Sequence, residues 1–350
     1  MCTYVQLLLG HKWKFLLIGL WLSAATDDAV AKHGGVRRSP RRTQTPGRCW
    51  IFTHMNKSGG STIKAVVGKH LRRIRGSLRL YTQLLYGEGE ERAKQFLSQN
   101  TTVIAGGYTE AFRPLGGGED CKWFTLFRHP VSRVVSAYFY CKSVPSELLC
   151  GTAILKANET DIYSFAEHWG NFGLRQYALG FVNQDELLSM EVEQGRCTPE
   201  CPPWYRAKLY FEGLHVDAGR HEAQPVDESD PLTVDVSMAS YVEPVKNLLS
   251  TRYAAVGILE EWEKSMALFD HALELPKLSW FRSSRRRAKN QGSDEFSDER
   301  DDLLRTAWTD PKLKKYISLD LLLYDHVVGV YQQQLKDYGL VEWRFDGNLL

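Results

Sequence analysis

The sequence predicts an α/β fold: three α/β/α layers about a central parallel sheet. Three observations carry this. Short apolar runs alternate with helix-period segments from Cys49 to about Trp343. Two of the runs, "WIFTH" and "WFTLFR", pass directly into a turn and then a helical pattern. Strands separated by helices pair in parallel and need both faces covered. The chain has 350 residues, 43% hydrophobic and 25% charged, enough for a sizeable core.

The elements follow in order. Ile51–Thr53 is a short strand. Ser61–Arg73 is a helix with Ile63, Val66, Val67 and Leu71 on one face. Thr102–Ala105 is a second strand, closed by Gly106-Gly107, and Trp123–Phe127 a third. Val131–Tyr140 is a helix with Val131, Val134, Val135 and Tyr138 inward, and Pro130 suits its first turn. Phe165–Leu179 and Val242–Leu249 are helical. Ala254–Leu259 is a late strand and Glu260–Leu273 a helix. Leu303–Trp308 is a short helix, and Leu319–Leu335 a long C-terminal one. Pro199 to Asp235 is acidic, Pro-containing and weakly periodic, which reads as a loop or insertion. No internal repeat is visible. The domain spans residues 49–343, with a tail at 344–350.

Residues 1–26 read as a signal peptide or a short signal anchor. Lys12 and Lys14 precede the apolar run Phe15 to Leu22, and the small residues Ser23, Ala24 and Ala25 follow. The run is shorter than the roughly 20 residues of a bilayer span. In the anchor case Val5 to Leu9 extends it, giving a membrane anchor. Residues 27–48, rich in Arg, Gly, Pro and Ser, read as a basic disordered stem. Either route leads into the secretory pathway. Seven cysteines suit an oxidising lumen, and Cys141–Cys150 and Cys197–Cys201 are the simplest pairs because both loops are short. "CTPEC" lacks a second pair of ligands, so no metal site is signalled. Asn100 and Asn158 open glycosylation sequons; Asn56-Lys-Ser is another, but a sugar there would block the loop that follows.

Formal net charge is only +2, which by itself names no partner, nucleic acid included. Arg282, Arg285, Arg286, Arg287 and Lys289 form a basic run, and Asp294 to Asp302 an acidic one. Such runs are ordinarily solvated faces. The informative stretch is "HMNKSGGST", His54 to Thr62. A strand, a Gly-containing turn and a helix start make an anion cradle, because free N–H groups and the helix dipole face the ligand. Gly59 and Gly60 allow close backbone approach. Ser61 and Thr62 suit the cap and first turn, and Lys57 brings a mobile positive charge. This is P-loop-like, yet Lys57 precedes the glycines and no Gly-Lys-Ser/Thr occurs, which disfavours ATP or GTP hydrolysis. A second motif ends a strand at Arg128 and opens a helix at Pro130. From there Arg128 and Ser136 are candidates to grip one phosphate from two sides.

The two motifs, in this order and about 70 residues apart, resemble the sulfotransferases that use 3′-phosphoadenosine 5′-phosphosulfate (PAPS). The resemblance is to the Golgi carbohydrate enzymes of the heparan sulfate 2-O- and uronyl-sulfotransferase type. It implies that Lys57, Ser58, Gly59, Gly60, Ser61 and Thr62 bind the 5′-phosphosulfate, and that Arg128 and Ser136 bind the 3′-phosphate. The family's Arg-Asp-Pro stretch is here Arg128-His129-Pro130. "GNFGLRQYALG", "YAAVGILEEWEKSMALFDHAL" and "SLDLLLYDHVVGVY" resemble later family segments. "FRSSRRRAKN" stands where such enzymes carry a basic loop over the nucleotide, making Ser284, Arg285 and Lys289 candidates.

The implied activity is transfer of a sulfuryl group from PAPS to a hydroxyl of an acidic glycan or polysaccharide in the Golgi lumen, without metal. Lys57 would stabilise the leaving phosphate oxygen. The acceptor hydroxyl needs a base. Relatives of the 2-O type carry His-Gly-His, whereas here Gly106-Gly107 leads to Tyr108-Thr109-Glu110. Glu110 and His54 are the candidate bases, with His168 and Tyr108 behind them. Arg133, Arg175 and Lys122 are candidate contacts for an acidic glycan or, equally, structural ion pairs. Two other functions compete: a non-catalytic PAPS- or glycan-binding relative, and a small-molecule P-loop kinase.

Overall fold

The architecture is described from a computed structural model. The structure describes residues 49–74, 78–80, 103–107, 109–110, 121–144, 150, 160–178, 180–181, 236–274 and 296–342. The expected signal segment and stem, the Cys197–Cys201 pair, the loop at Pro199–Asp235, both sequons at Asn100 and Asn158, and Ser284, Arg285 and Lys289 lie outside those residues.

The chain forms an α/β domain on a parallel sheet. Its strands are β1 (Trp50–Thr53), β2 (Leu78–Leu80), β3 (Val103–Gly106), β4 (Lys122–Phe127) and β5 (Tyr253–Ile258), in the order β2-β3-β1-β4-β5. Every pairing is parallel, and Phe52 lies opposite Ala105 on one side and Phe124 on the other. All residues of β1 and β3 are buried, which fits apolar strands covered on both faces. The helix α1 (Gly60–Ile74) buries Ile63, Val66 and Val67, three of the four residues expected on that face; the Leu71 side chain lies outside the described ones.

Strand order decides where a ligand sits. From β1 the chain moves out to β2 and β3; from β4 it moves the other way, to β5. Adjacent strands whose connections diverge open a crevice beyond their C-terminal ends. Here that crevice lies between the ends of β1 and β4. Below it, Cys49–Cys121 joins the residues just before these two strands, and the Lys122 N–H donates to Cys49 O at 3.0 Å. The expected Cys141–Cys150 bridge is present at the end of α2 (Pro130–Ser143).

A second apolar cluster gathers α2 with α3 (Ile162–Trp169), α4 (Phe172–Ala178), α8 (Ser297–Ala307) and α9 (Pro311–Tyr316). The remaining helices are α5 (Val236–Ala239), α6 (Val242–Thr251), α7 (Trp262–Leu273) and α10 (Ser318–Asp337). Among the described residues no helix is long and apolar enough to cross a membrane.

Several expected elements differ in detail. Phe165–Leu179 is not one helix: α3 stops at Trp169, and Asn171 takes the left-handed φ of 52° before α4 begins. Gly170 sits at that break because a Cβ there would lie 2.1 Å from Tyr316 O. The apolar pattern runs through the break, so periodicity alone hides it. The strand expected at Ala254–Leu259 is Tyr253–Ile258, and Leu259–Glu261 forms a 3-10 turn ahead of α7. The helix expected at Leu303–Trp308 starts earlier, at Ser297, with Asp298 and Glu299 in its first turn. Part of the acidic run is therefore a helix N-terminus, where carboxylates complement the dipole. The strand β2 and the helices α5 and α9 were not expected.

Candidate functional site

The loop from His54 to Gly59 leaves β1 at the crevice. Lys57 has φ 63° and Gly59 φ 81°. The left-handed conformation costs a side-chain-bearing residue such as Lys57 roughly 1–2 kcal/mol, so the surrounding contacts must hold it. The Ser58 N–H donates to Met55 O at 3.3 Å, and those of Thr62 and Ile63 both reach Gly59 O, at 3.0 and 3.3 Å. Gly59 thus caps α1. The N–H groups of Gly60 and Ser61 have no acceptor among the described residues. Ser58 is fully buried, and its Oγ has no hydrogen-bond partner among the described residues. A loop that leaves some of its donors without an acceptor suits an anion.

His54 packs directly on this loop. A Cβ on Gly60 would lie 1.7 Å from His54 Cδ2, so the imidazole rests on the Gly60 backbone. Its other neighbour is Phe52, stacked with centroids 6.0 Å apart. Burial first, then the charges of Lys64 and Lys57, push the His54 pKa from 6.5 to about 3. The ring is neutral at neutral pH, and a group that acidic takes up a proton poorly.

The neighbouring strand supplies Arg128. Its Nη1 donates to Lys57 O at 3.2 Å, which ties the two sequence motifs together. Burial lowers the Arg128 pKa, while Glu260 opposes the shift; the guanidinium stays charged. Glu260 organises this side of the crevice. One of its oxygens accepts from the His129 N–H at 2.9 Å, and the other from Tyr324 Oη at 3.0 Å. The His129 ring lies 4.0 Å from Trp308 and 5.1 Å from Tyr324. Pro130 then starts α2, and Ser136 follows two turns along, partly buried. Met55, Phe127, Arg128, Arg133, Asp320 and Tyr324 help to line a small cavity here.

Glu110 sits elsewhere than in the crevice. It is fully buried in the turn after β3 and accepts a hydrogen bond from Tyr253 Oη. Tyr253 Oη is 2.6 Å from Thr53 Oγ1, which is 2.9 Å from Thr109 Oγ1. Thr125 Oγ1 donates to Thr53 O at 2.9 Å and lies 2.5 Å from Tyr177 Oη. Burial drives the pKa values of Tyr177 and Tyr253 up, so both hydroxyls keep their protons. Glu110 belongs to a polar network inside the core. Tyr108 and the His168 side chain lie outside the described ones.

The three basic candidates for a glycan contact are structural. Arg133 is 2% exposed and pairs with buried Asp320, whose carboxylate also accepts from the N–H groups of Gly173 and Leu174 at 3.2 and 2.8 Å. Arg175 is equally buried and donates to Gly170 O at 2.9 Å. Lys122, at the opposite end of β4, donates to Ala272 O and pairs with Glu274. Buried charges need partners, and Arg133 and Arg175 have found theirs inside the fold, whereas the Lys122–Glu274 pair is partly exposed.

Gln176 is the residue that sequence reasoning missed. Its Nε2 reaches His54 O at 3.4 Å and Gly107 O at 3.1 Å, while its Oε1 accepts from the Asn56 N–H at 3.4 Å. It pins the loop after β1 to the turn after β3. The available signal was a lone amide among the apolar Leu174, Tyr177 and Ala178, since a buried amide must find partners. Asn171 does similar work on α10: its Oδ1 accepts from the N–H groups of Leu319 and Asp320.

No protein-family model matches this chain, and no curated protein matches it. Among the described residues no group of His, Cys, Asp and Glu is arranged to hold a metal ion.

Proposed function

We propose that this protein is a PAPS-dependent carbohydrate sulfotransferase of the secretory pathway, with a P-loop-like donor site between β1 and β4. The observation that carries this is the Arg128–Lys57 hydrogen bond, which joins the two anion motifs in one crevice. The Ser58 Oγ and the N–H groups of Gly60 and Ser61, which have no partner among the described residues, fit an anionic ligand on the same loop. When bound, PAPS supplies the sulfuryl group. Ser58 to Thr62 hold its 5′ end through the loop donors, and Arg128 and Ser136 hold the 3′-phosphate. Lys57 presents its ammonium to the departing phosphate oxygen, where negative charge grows. Ser284, Arg285 and Lys289 complete the donor site from the basic loop. The acceptor is a hydroxyl of a glycan or polysaccharide, and the chain acts in the Golgi lumen, which it enters through residues 1–26.

A second function, donor binding without turnover, is favoured by two observations: Glu110 is buried in the core, and His54 is a weak base packed on the loop. Radiolabelled PAPS offered with uronic-acid, hexosamine and algal-type glycans separates the two. We expect sulfate incorporation, a loss of about 100-fold in kcat in Lys57→Ala, and weaker PAP binding in Arg128→Ala. PAP binding without transfer to any acceptor would establish the binding-only function. Activity unaffected by either substitution overturns the site, and stabilisation by ATP but not PAP would instead indicate a kinase.

A further inference from the structure

We propose that Tyr140 is a positioning residue that holds the Lys57 ammonium at the donor crevice. Lys57 Nζ lies 3.6 Å from the centroid of the Tyr140 ring, well inside the distance at which a cation is held by an aromatic face. The lysine backbone is constrained independently, by its left-handed φ and by Arg128 Nη1 on its carbonyl. Backbone and side-chain head are therefore both fixed, and the flexible stem between them has little freedom left. Tyr140 stands four residues after Ser136 on α2, so the two share a helix face. The helix that begins after Arg128 thus carries both a candidate phosphate ligand and the perch of the lysine.

An aromatic face suits this task better than a carboxylate. A carboxylate at the same place would hold Lys57 by cancelling the charge that the reaction needs. The ring holds it by its quadrupole without neutralising the ammonium's charge. The consequence for transfer rests on the donor site proposed above; the contact itself does not.

Two measurements test this on the full-length protein with Tyr140→Phe and Tyr140→Leu. In PAPS transfer, Tyr140→Leu should lower kcat about tenfold, mid-range for a cation–π contact, with the KM for PAPS unchanged, and Tyr140→Phe should keep the wild-type rate. In parallel, lysines are 13C-dimethylated and the Lys57 signal is assigned with Lys57→Arg. The ring current should shift that signal upfield in the wild type and in Tyr140→Phe, but not in Tyr140→Leu. A wild-type kcat in Tyr140→Leu, or equal losses in the Phe and Leu variants, overturns the proposal. If the wild type neither binds PAP nor transfers sulfate, the donor site fails and the Lys57 signal decides alone. An unshifted signal in the wild type then overturns the contact as well.

Discussion

Gly60→Ala is the substitution whose outcome the geometry constrains most tightly. The new methyl carbon would lie 1.7 Å from His54 Cδ2, 2.2 Å from Nε2 and 2.7 Å from Cγ. Carbon atoms settle at about 3.5–4.0 Å, so the imidazole has to retreat by about 2 Å. Overpacking of this kind costs roughly 1–3 kcal/mol. Against it stands the ordinary preference of a helix for Ala over Gly, roughly 0.5–1 kcal/mol. The clash wins, and the net loss should be about 1–2 kcal/mol. With His54 truncated to Ala the clash disappears, and the sign should reverse: Gly60→Ala should then stabilise by about 0.5 kcal/mol. Urea unfolding of the wild type, both single variants and the double variant measures the coupling, expected at about 1–3 kcal/mol. A Gly60→Ala protein as stable as the wild type, or the same loss in both backgrounds, would show that the imidazole does not rest on the loop.

His54 also predicts a pH dependence. Its folded pKa of about 3 lies below the unfolded 6.5, so the unfolded chain takes the proton first and stability is lost as pH falls from 6.5 toward 3. The slope is at most about 1.4 kcal/mol per pH unit, and His54→Gln should show a shallower fall across that window in urea titrations; an unchanged slope refutes the assignment. Asp320→Ala strands the buried Arg133 guanidinium and removes the acceptor for the Gly173 and Leu174 N–H groups. It should cost about 3–5 kcal/mol in thermal unfolding, while Arg133→Met with Asp320→Leu recovers the part due to the stranded charge but leaves the two N–H groups without their acceptor.

Much of the α/β frame was legible because its determinants are local. The runs "WIFT" and "WFTLF" are apolar enough to be buried on both faces, and the α1 face at Ile63, Val66 and Val67 follows from helical spacing. Both turns carry their own punctuation, Gly59-Gly60 in one and Pro130 in the other. The break at Gly170-Asn171 was not legible. The hydrophobic period continues across it, and the reason for the glycine is Tyr316 O, far along the chain. The roles of the charged residues were equally hidden. In the sequence Arg133 and Arg175 read equally as glycan contacts or structural ion pairs, and their burial and their partners, Asp320 and Gly170 O, show them to be internal.

The sequence by itself determined that a Lys-Ser-Gly-Gly-Ser-Thr turn follows a buried strand and starts a helix, and that an Arg at a strand end precedes a second helix. Backbone conformation within a few residues is enough for that. The tertiary structure alone decided that these two ends are neighbours, because strand order is a property of the whole sheet. It also set His54 on Gly60, Glu110 inside the core, Gln176 across two loops and Lys57 over Tyr140. Apart from His54 and Gly60, which share one loop, each of these depends on groups distant in sequence meeting at a few ångströms, and no local pattern encodes such a meeting.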